Sequence, residues 1–267
     1  MSDTPHAIEL EIEVPGTPDE VWRAIATGPG ITSWYVPHTV DEQEGGTATA
    51  RFGAGPEMEV PGNVAAWEPP HRVVFDGGDG VDGLAFEWLV EARDGGTCVV
   101  RLVNSGFGDG GEWDDYYDAM TEGWNMFLGN LLLHLTHFSG QSAAAALPGA
   151  GWPGPAETVW AELCAGLGIR TEASVGDRVD VDSADAPSLG GVVAEITPTR
   201  MSIVVDTPAP GTALIAAEAM GDSAQVSVWS YLYGTDGAHA VERDESRWQT
   251  WLDTHASNAR ASIVGGS

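Results

Sequence analysis

Lysine is absent from the 267 residues, and cations of any kind are few: 11 arginines stand against 40 carboxylates, a net charge of −29. So negative a surface repels nucleic-acid phosphates and anionic lipid, so neither nucleic acid nor membrane is an expected partner. Cysteine is scarce as well. Cys98 and Cys164 fall one in each half, which gives neither half a disulfide framework and predicts two small buried side chains. Long apolar runs are missing. The longest, residues 128–135, is broken by Asn130 and His134 and falls far short of the ~20 residues a membrane helix needs. Residues 1–6 carry neither the basic nor the apolar region of a secretion signal, so a cytoplasmic protein is expected. There is no HExxH, no phosphate-loop lysine and no dinucleotide glycine spacing, so no cofactor is expected.

What is present suits two globular units. Hydrophobic residues make up 43% of the chain and include 11 tryptophans, enough for real cores. The length fits two domains of about 130 residues each. In the first half, Ile8, Leu10, Ile12 and Val14 alternate with Glu9, Glu11 and Glu13, the pattern of a half-buried strand. Thr17-Pro-Asp-Glu20 starts a helix, with a hydroxyl N-cap, proline in the first turn and a capping-box glutamate. Gly28-Pro-Gly30 is expected to end it, with a short turn at 31–35. Strands are predicted over 39–44, 47–52, 58–67, 72–76, 83–93 and 97–104, separated by glycine- and proline-rich turns. Trp124, Phe127, Leu128, Leu131, Leu135 and Phe138 then form one apolar stripe of a closing helix. Its acidic start (Glu112, Asp114, Asp115, Asp118) complements the helix dipole.

Residues 139–154, rich in glycine and proline, read as a linker, within which Ala143–Ala146 has the composition of a weak strand. The domains are then expected at 1–138 and 155–267. The second half predicts a helix over 155–167, strands over 169–174, 178–181, 191–196, 201–206, 213–219 and 224–233, and a last helix near 242–256. The halves also match each other. Gly62, Val64, Ala66, Pro70 and Arg72 align at a constant offset with Gly190, Val192, Ala194, Pro198 and Arg200. Val21-Trp22 pairs with Val159-Trp160, and Trp124 with Trp248, as in a tandem duplication whose second copy is shorter and eroded.

In the first half, Pro18-Asp-Glu-Val-Trp22, Trp34, Gly45-Gly46, Gly62-x-Val64, Pro69-Pro70-x-Arg72-Val-Val-Phe75, Thr97-x-Val99, Ser105-Gly106-Phe107 and Glu122-Gly-Trp124-x-x-x-Leu128 follow one another in order. This resembles the SRPBCC superfamily, and within it homologues of the activator of the heat-shock-protein-90 ATPase. The resemblance is strong over residues 6–138 and weaker over 155–256. It implies an α+β fold of tandem helix-grip domains, each a curved antiparallel sheet wrapped around a long C-terminal helix over a cavity. Many such proteins bind apolar molecules there; a few are cyclases or co-chaperones. No catalytic residue set runs through the superfamily, so none is carried over.

Strand alternation and the helix stripe place Trp34, Phe52, Met58, Phe75, Phe86, Trp88, Val100, Trp124, Phe127 and Leu128 on the enclosed face, the expected ligand-binding set. The same aromatics also suit a filled core with no cavity. Met58, Val60, Val64 and Ala66 form one inward row if Gly62 is a bend. In the second half, Trp229, Tyr231, Tyr233, Trp248 and Trp251 make a thinner set, suited to a structural cover or a degenerate binding copy. His134 and His137 have metal-like spacing without a third ligand, so no metal is expected. Asp76, Asp79 and Asp82 belong to a glycine-rich hairpin rather than a calcium loop. The expected function is binding of a small apolar molecule without catalysis. One alternative is a polyketide cyclase or dehydratase using Tyr35, Glu87, Arg101, Asn104 or His134, with Glu87 and Arg101 also suited to pair across strands on the outer face. The other is a protein-interaction or co-chaperone module working through the acidic surface.

Overall fold

The computed structural model describes residues 7–53, 56–77, 84–106 and 114–265. The chain divides into two compact units, Met1–Ser142 and Ala143–Ser267. The first unit runs β1 (Ile8–Pro15), α1 (Pro18–Ala26), α2 (Gly28–Thr32), β2 (His38–Val40), β3 (Thr47–Arg51), β4 (Glu59–Glu68), β5 (Arg72–Asp76), β6 (Ala85–Arg93), β7 (Thr97–Ser105) and α3 (Asp114–His137). Its seven strands form one antiparallel sheet in the order β1-β7-β6-β5-β4-β3-β2, which puts the first strand beside the last.

The alternation in β1 works as expected. Ile8 and Val14 are buried, and the glutamates between them face outward. There Glu11 pairs with Arg101, its direct neighbour on β7, and Glu13 accepts from the Thr97 hydroxyl at 2.6 Å. The capping box at Thr17 is formed: the Glu20 carboxylate accepts from the Thr17 backbone N–H at 2.8 Å, and the Glu20 N–H donates to the Thr17 hydroxyl at 3.4 Å. Gly28-Pro29-Gly30 corrects the expectation, because it opens α2 rather than merely ending α1. The Thr27 hydroxyl donates to the Arg23 carbonyl at 2.7 Å and accepts from the Gly30 N–H at 3.1 Å, capping the second helix on the end of the first. A Cβ at position 30 would sit 1.8 Å from that carbonyl, so only glycine allows so tight a junction.

A β-bulge in β4, between Val64 and Ala66, breaks the predicted inward row. Beyond it Trp67 points inward, opposite the fully buried Val73, and meets Trp22 edge-on at 4.9 Å, while Ala66 turns away from that row. The core of this unit is aliphatic at one end, where Val14, Val21, Ile25, Val90, Cys98, Val100, Leu131 and Leu135 pack beneath α1.

The second unit runs β8 (Ala143–Ala146), β9 (Gly149–Pro153), α4 (Ala156–Leu167), β10 (Arg178–Asp180), β11 (Gly190–Thr197), β12 (Arg200–Thr207), β13 (Gly211–Met220), β14 (Ser223–Tyr233) and α5 (Gly234–Gly265). Its sheet runs β10-β11-β12-β13-β14-β8, with β9 also paired to β14. Both units therefore place an opening strand beside the final strand of an antiparallel meander and close with a long helix, the α+β tandem helix-grip architecture that the sequence predicts. The matched residues occupy matching places: Gly62 and Gly190 lie in β4 and β11, Arg72 and Arg200 open β5 and β12, and Trp22 and Trp160 lie in α1 and α4.

The expected linker is corrected here. Within residues 139–154, both β8 and β9 pair with β14. Side chains of α5 hold β9 as well. Gln249 donates to the Gly149 carbonyl at 2.8 Å and accepts its N–H at 3.2 Å, so both backbone groups of Gly149 are bonded. The strand predicted over 169–174 is not one. Ile169 and Ala173 are buried in a turn without a partner strand. Residues 78–83, Phe107 and the side chains of Glu112, Asp114, Asp115 and Asp118 lie outside the described residues. Cys98 and Cys164 are buried free thiols, and burial pushes the Cys164 thiol up to about 12.

Candidate functional site

At the end of the first sheet away from the aliphatic core, large aromatic side chains span the gap to α3 without filling it. They enclose about 360 Å³. An apolar cavity of roughly 150 Å³ holds a benzene ring, so this one has room for about two or three rings.

Each wall is set by a simple local rule. On the sheet, directly paired residues share a face, and His38, Ala50 and Val60 form one such row across β2, β3 and β4. Phe75 and Phe86 form another across β5 and β6, and Trp88 follows two residues along. From α3, Met120 and Trp124 point in at one helical turn's spacing. Trp34 closes the inner end. It is completely buried, its indole N–H donates to the Ala24 carbonyl at 2.9 Å, and the Trp34 carbonyl accepts from the Asn130 amide at 2.9 Å. Trp34 meets Trp88 edge-on at 5.6 Å, Trp88 meets Trp124 at 5.6 Å, and Phe86 meets Trp124 at 5.5 Å. These contacts fix the ring orientations. Phe52 and Val60, 46% and 41% exposed, mark the mouth.

Of the expected ligand-binding residues, the structure brings together Trp34, Phe52, Phe75, Phe86, Trp88 and Trp124. Four others lie elsewhere. Met58 belongs to the short turn Pro56–Met58 ahead of β4, where it lies against Gly53 and is 38% exposed. Val100 and Leu128 are in the aliphatic core, because their positions on β7 and α3 lie past the aromatic end. Phe127 stands behind the wall, edge-on to Tyr35 at 4.4 Å. Sequence reasoning missed Ile25, Ile31, His38, Ala50, Leu84 and Met120 among the lining residues; Val60, read as inward-facing, and Tyr35, read as a polar candidate, do line the cavity. Helical spacing from Trp124 gives Met120; Tyr35 sits on irregular chain, and His38 opens the three-residue strand β2, which is too short to show a period.

The polar candidates separate cleanly. Glu87 faces outward and bonds Arg72 at 2.6 Å, and Arg101 pairs with Glu11, so the expected Glu87–Arg101 pair is not made. The register explains it, since Glu87 lies opposite Val103 and Arg101 opposite Leu89. His134 is buried, but lines a different, polar cleft with Glu20, Arg23, Thr27 and Glu42. Burial lowers its pKa to about 4. The folded imidazole therefore binds its proton more weakly than the unfolded one, whose value is near 6.5. Its contribution is complete above pH 6.5 and is lost as pH falls towards 4, about 3 kcal/mol in all. In urea titrations followed by tryptophan fluorescence from pH 7 to 4, the wild type should lose that much more stability than His134→Leu. Parallel pH profiles for the two proteins would contradict this assignment.

His38 is the polar residue on the cavity wall with a defined proton. Its Nδ1 lies 2.7 Å from the Val36 carbonyl, which can only accept, so Nδ1 carries the hydrogen and Nε2 is left as an acceptor. Burial holds its pKa below the usual imidazole value and keeps the ring neutral at pH 7. In the second unit Trp251 packs against Trp152 at 6.3 Å and against Trp248 at 6.1 Å. The space between Leu189, Ser230 and Trp248 is about 10 Å³, room for no more than about one water. No helix among the described residues is long and apolar enough to cross a membrane.

Residues 15–135 match the family model described as Activator of Hsp90 ATPase homolog 1-like protein. The resemblance of the first unit to homologues of that activator, read from the sequence, is thereby borne out. No curated protein sequence matches the chain. Among solved structures, the Aha1 dimer from Colwellia psychrerythraea is 19% identical and matches with a TM-score of 0.43, over 51% of this chain and 99% of that one. DynU16, a protein of the dynemicin biosynthetic locus, is 17% identical with a TM-score of 0.41, over 95% of this chain and 98% of that one. CalU16 from Micromonospora echinospora is 20% identical with a TM-score of 0.39, over 49% of this chain and 76% of that one.

Proposed function

We propose that the first unit is a receptor for a small apolar, aromatic-compatible molecule, bound in the cavity between the sheet and α3. The carrying observation is the 360 Å³ cavity, lined on most sides by Trp34, Phe75, Phe86, Trp88 and Trp124 and open at Phe52. The hydrophobic effect stabilises a filled apolar cavity over a wet one, so such a site favours whatever neutral molecule fits it. Binding without turnover is the simpler reading, because Glu87, Arg101 and His134 all point away from the cavity. The second unit, with its packed tryptophans, is read as an eroded copy that serves structure, and the whole chain as a cytoplasmic protein. Native mass spectrometry of protein taken gently from the cells that make it should show one small molecule per chain, extractable into organic solvent. A bare chain mass in every preparation would count against the reading.

A second reading, contact with a protein partner through the acidic surface, is supported by the description of the matched family. It requires an interaction that weakens steeply with salt.

A further inference from the structure

Among the described residues that line the aromatic cavity, hydrogen-bonding side chains are few. The Trp34 indole N–H is bonded to the Ala24 carbonyl, and the Trp124 indole N–H is buried without accessible surface. His38 differs from both. The cross-strand row His38–Ala50–Val60 sets its side chain on the concave face, and Val60 at the end of that row marks the mouth. Nδ1 turns back along the chain to the Val36 carbonyl at 2.7 Å, which fixes the hydrogen on that nitrogen. Nε2, the other ring nitrogen, bonds to no protein group and keeps accessible surface. It is a neutral lone pair on a wall whose indoles can only donate.

Such an acceptor selects among the molecules that fit the cavity. A hydrocarbon strips water from Nε2 and gives nothing back. An ether or a carboxylate brings only further lone pairs. Burial keeps the ring neutral at pH 7, and no arginine lines the cavity, so no cation offsets an anion there. A hydroxyl supplies the missing hydrogen.

We propose that His38 is a specificity-determining residue of this cavity, its Nε2 accepting from the hydroxyl of a neutral ligand whose hydrocarbon body lies deeper, against Trp34 and Trp88. The inference rests on the binding role given to the cavity above. Because the His38 row ends at the mouth, the ligand enters hydrocarbon end first and keeps its hydroxyl towards β2.

The test is calorimetric titration of the full chain with naphthalene, the two naphthols and their methyl ethers. The better-bound naphthol should bind the wild type about tenfold more tightly than its methyl ether, the order of one hydrogen bond in a dry site. His38→Asn keeps a donor for the Val36 carbonyl but is too short to present an acceptor where Nε2 stands, so the ratio should fall towards one. His38→Phe keeps a ring without nitrogens and should do the same. His38→Gln reaches the Nε2 position with an amide oxygen and should keep part of the ratio. Tyr35→Phe removes the competing hydroxyl on the wall and should preserve it. Equal binding of naphthol and ether to the wild type would overturn the inference, while naphthalene binding would leave the cavity's role intact. A ratio unchanged in both His38→Asn and His38→Phe, or lost in Tyr35→Phe, would overturn it too. If no probe binds at all, the binding role fails together with it.

Discussion

Ala50→Phe should abolish binding of naphthalene to the first unit while leaving the fold in place. Ala50 lies on β3 between His38 and Val60, in the row of small and medium residues that faces the cavity. A benzyl group there enters open space rather than a packed core, and fills roughly the volume of one ring. Overpacking a close-packed site usually costs about 1–3 kcal/mol, but a void removes most of that strain. The melting temperature should therefore hold or rise, because the new side chain buries its own apolar surface in the cavity. Affinity should fall by at least about a hundredfold, the order of losing the burial of one aromatic ring. A variant that melts normally and binds as well as the wild type would place the ligand elsewhere.

Trp34→Ala should be the most destabilising single change in the cavity wall. The side chain is wholly buried, and its loss removes the edge-on contact with Trp88 and the bond from its N–H to the Ala24 carbonyl. It would also merge the existing cavity with the space the indole leaves. Truncations of this kind cost about 3–5 kcal/mol. In a unit of this size that is a fall in Tm on the order of 10 °C, visible by calorimetry. Trp34→Phe keeps the packing of one ring and should lose less than half as much. A fall of only a degree or two for Trp34→Ala would mean that α2 and β2 do not depend on this anchor.

Much of this was readable from the chain. Regular elements announce themselves through period: the Ile8–Val14 alternation, the stripe from Trp124 to Leu135, the capping box at Thr17. Where a single local rule governs, the rule transfers, and six expected lining residues meet around one cavity. The failures share a cause. The bulge after Val64 costs one residue of register, which no pattern of apolar residues reports, and it exchanges Ala66 for Trp67 on the inner face. Ala143–Ala146 and Gly149–Pro153 have weak strand propensity of their own; their order comes from β14 and Gln249, which are distant in sequence. Tyr35 lines the cavity from irregular chain and His38 from the first residue of the short β2, both just past the α1–α2 junction, a contact between backbone atoms that side-chain patterning does not encode. Val100 and Leu128 have the right face but the wrong end, because period gives the direction of a side chain and not its depth along the sheet.

The cavity's role is tested most directly by calorimetric titration of the wild-type chain with naphthalene at two temperatures. One molecule bound per chain, with a negative heat-capacity change, is the expected result, since burying apolar surface in a preformed pocket carries that signature. No heat and no shift in Tm up to the solubility limit would mean that the aromatic walls close in solution, and the receptor reading would be wrong.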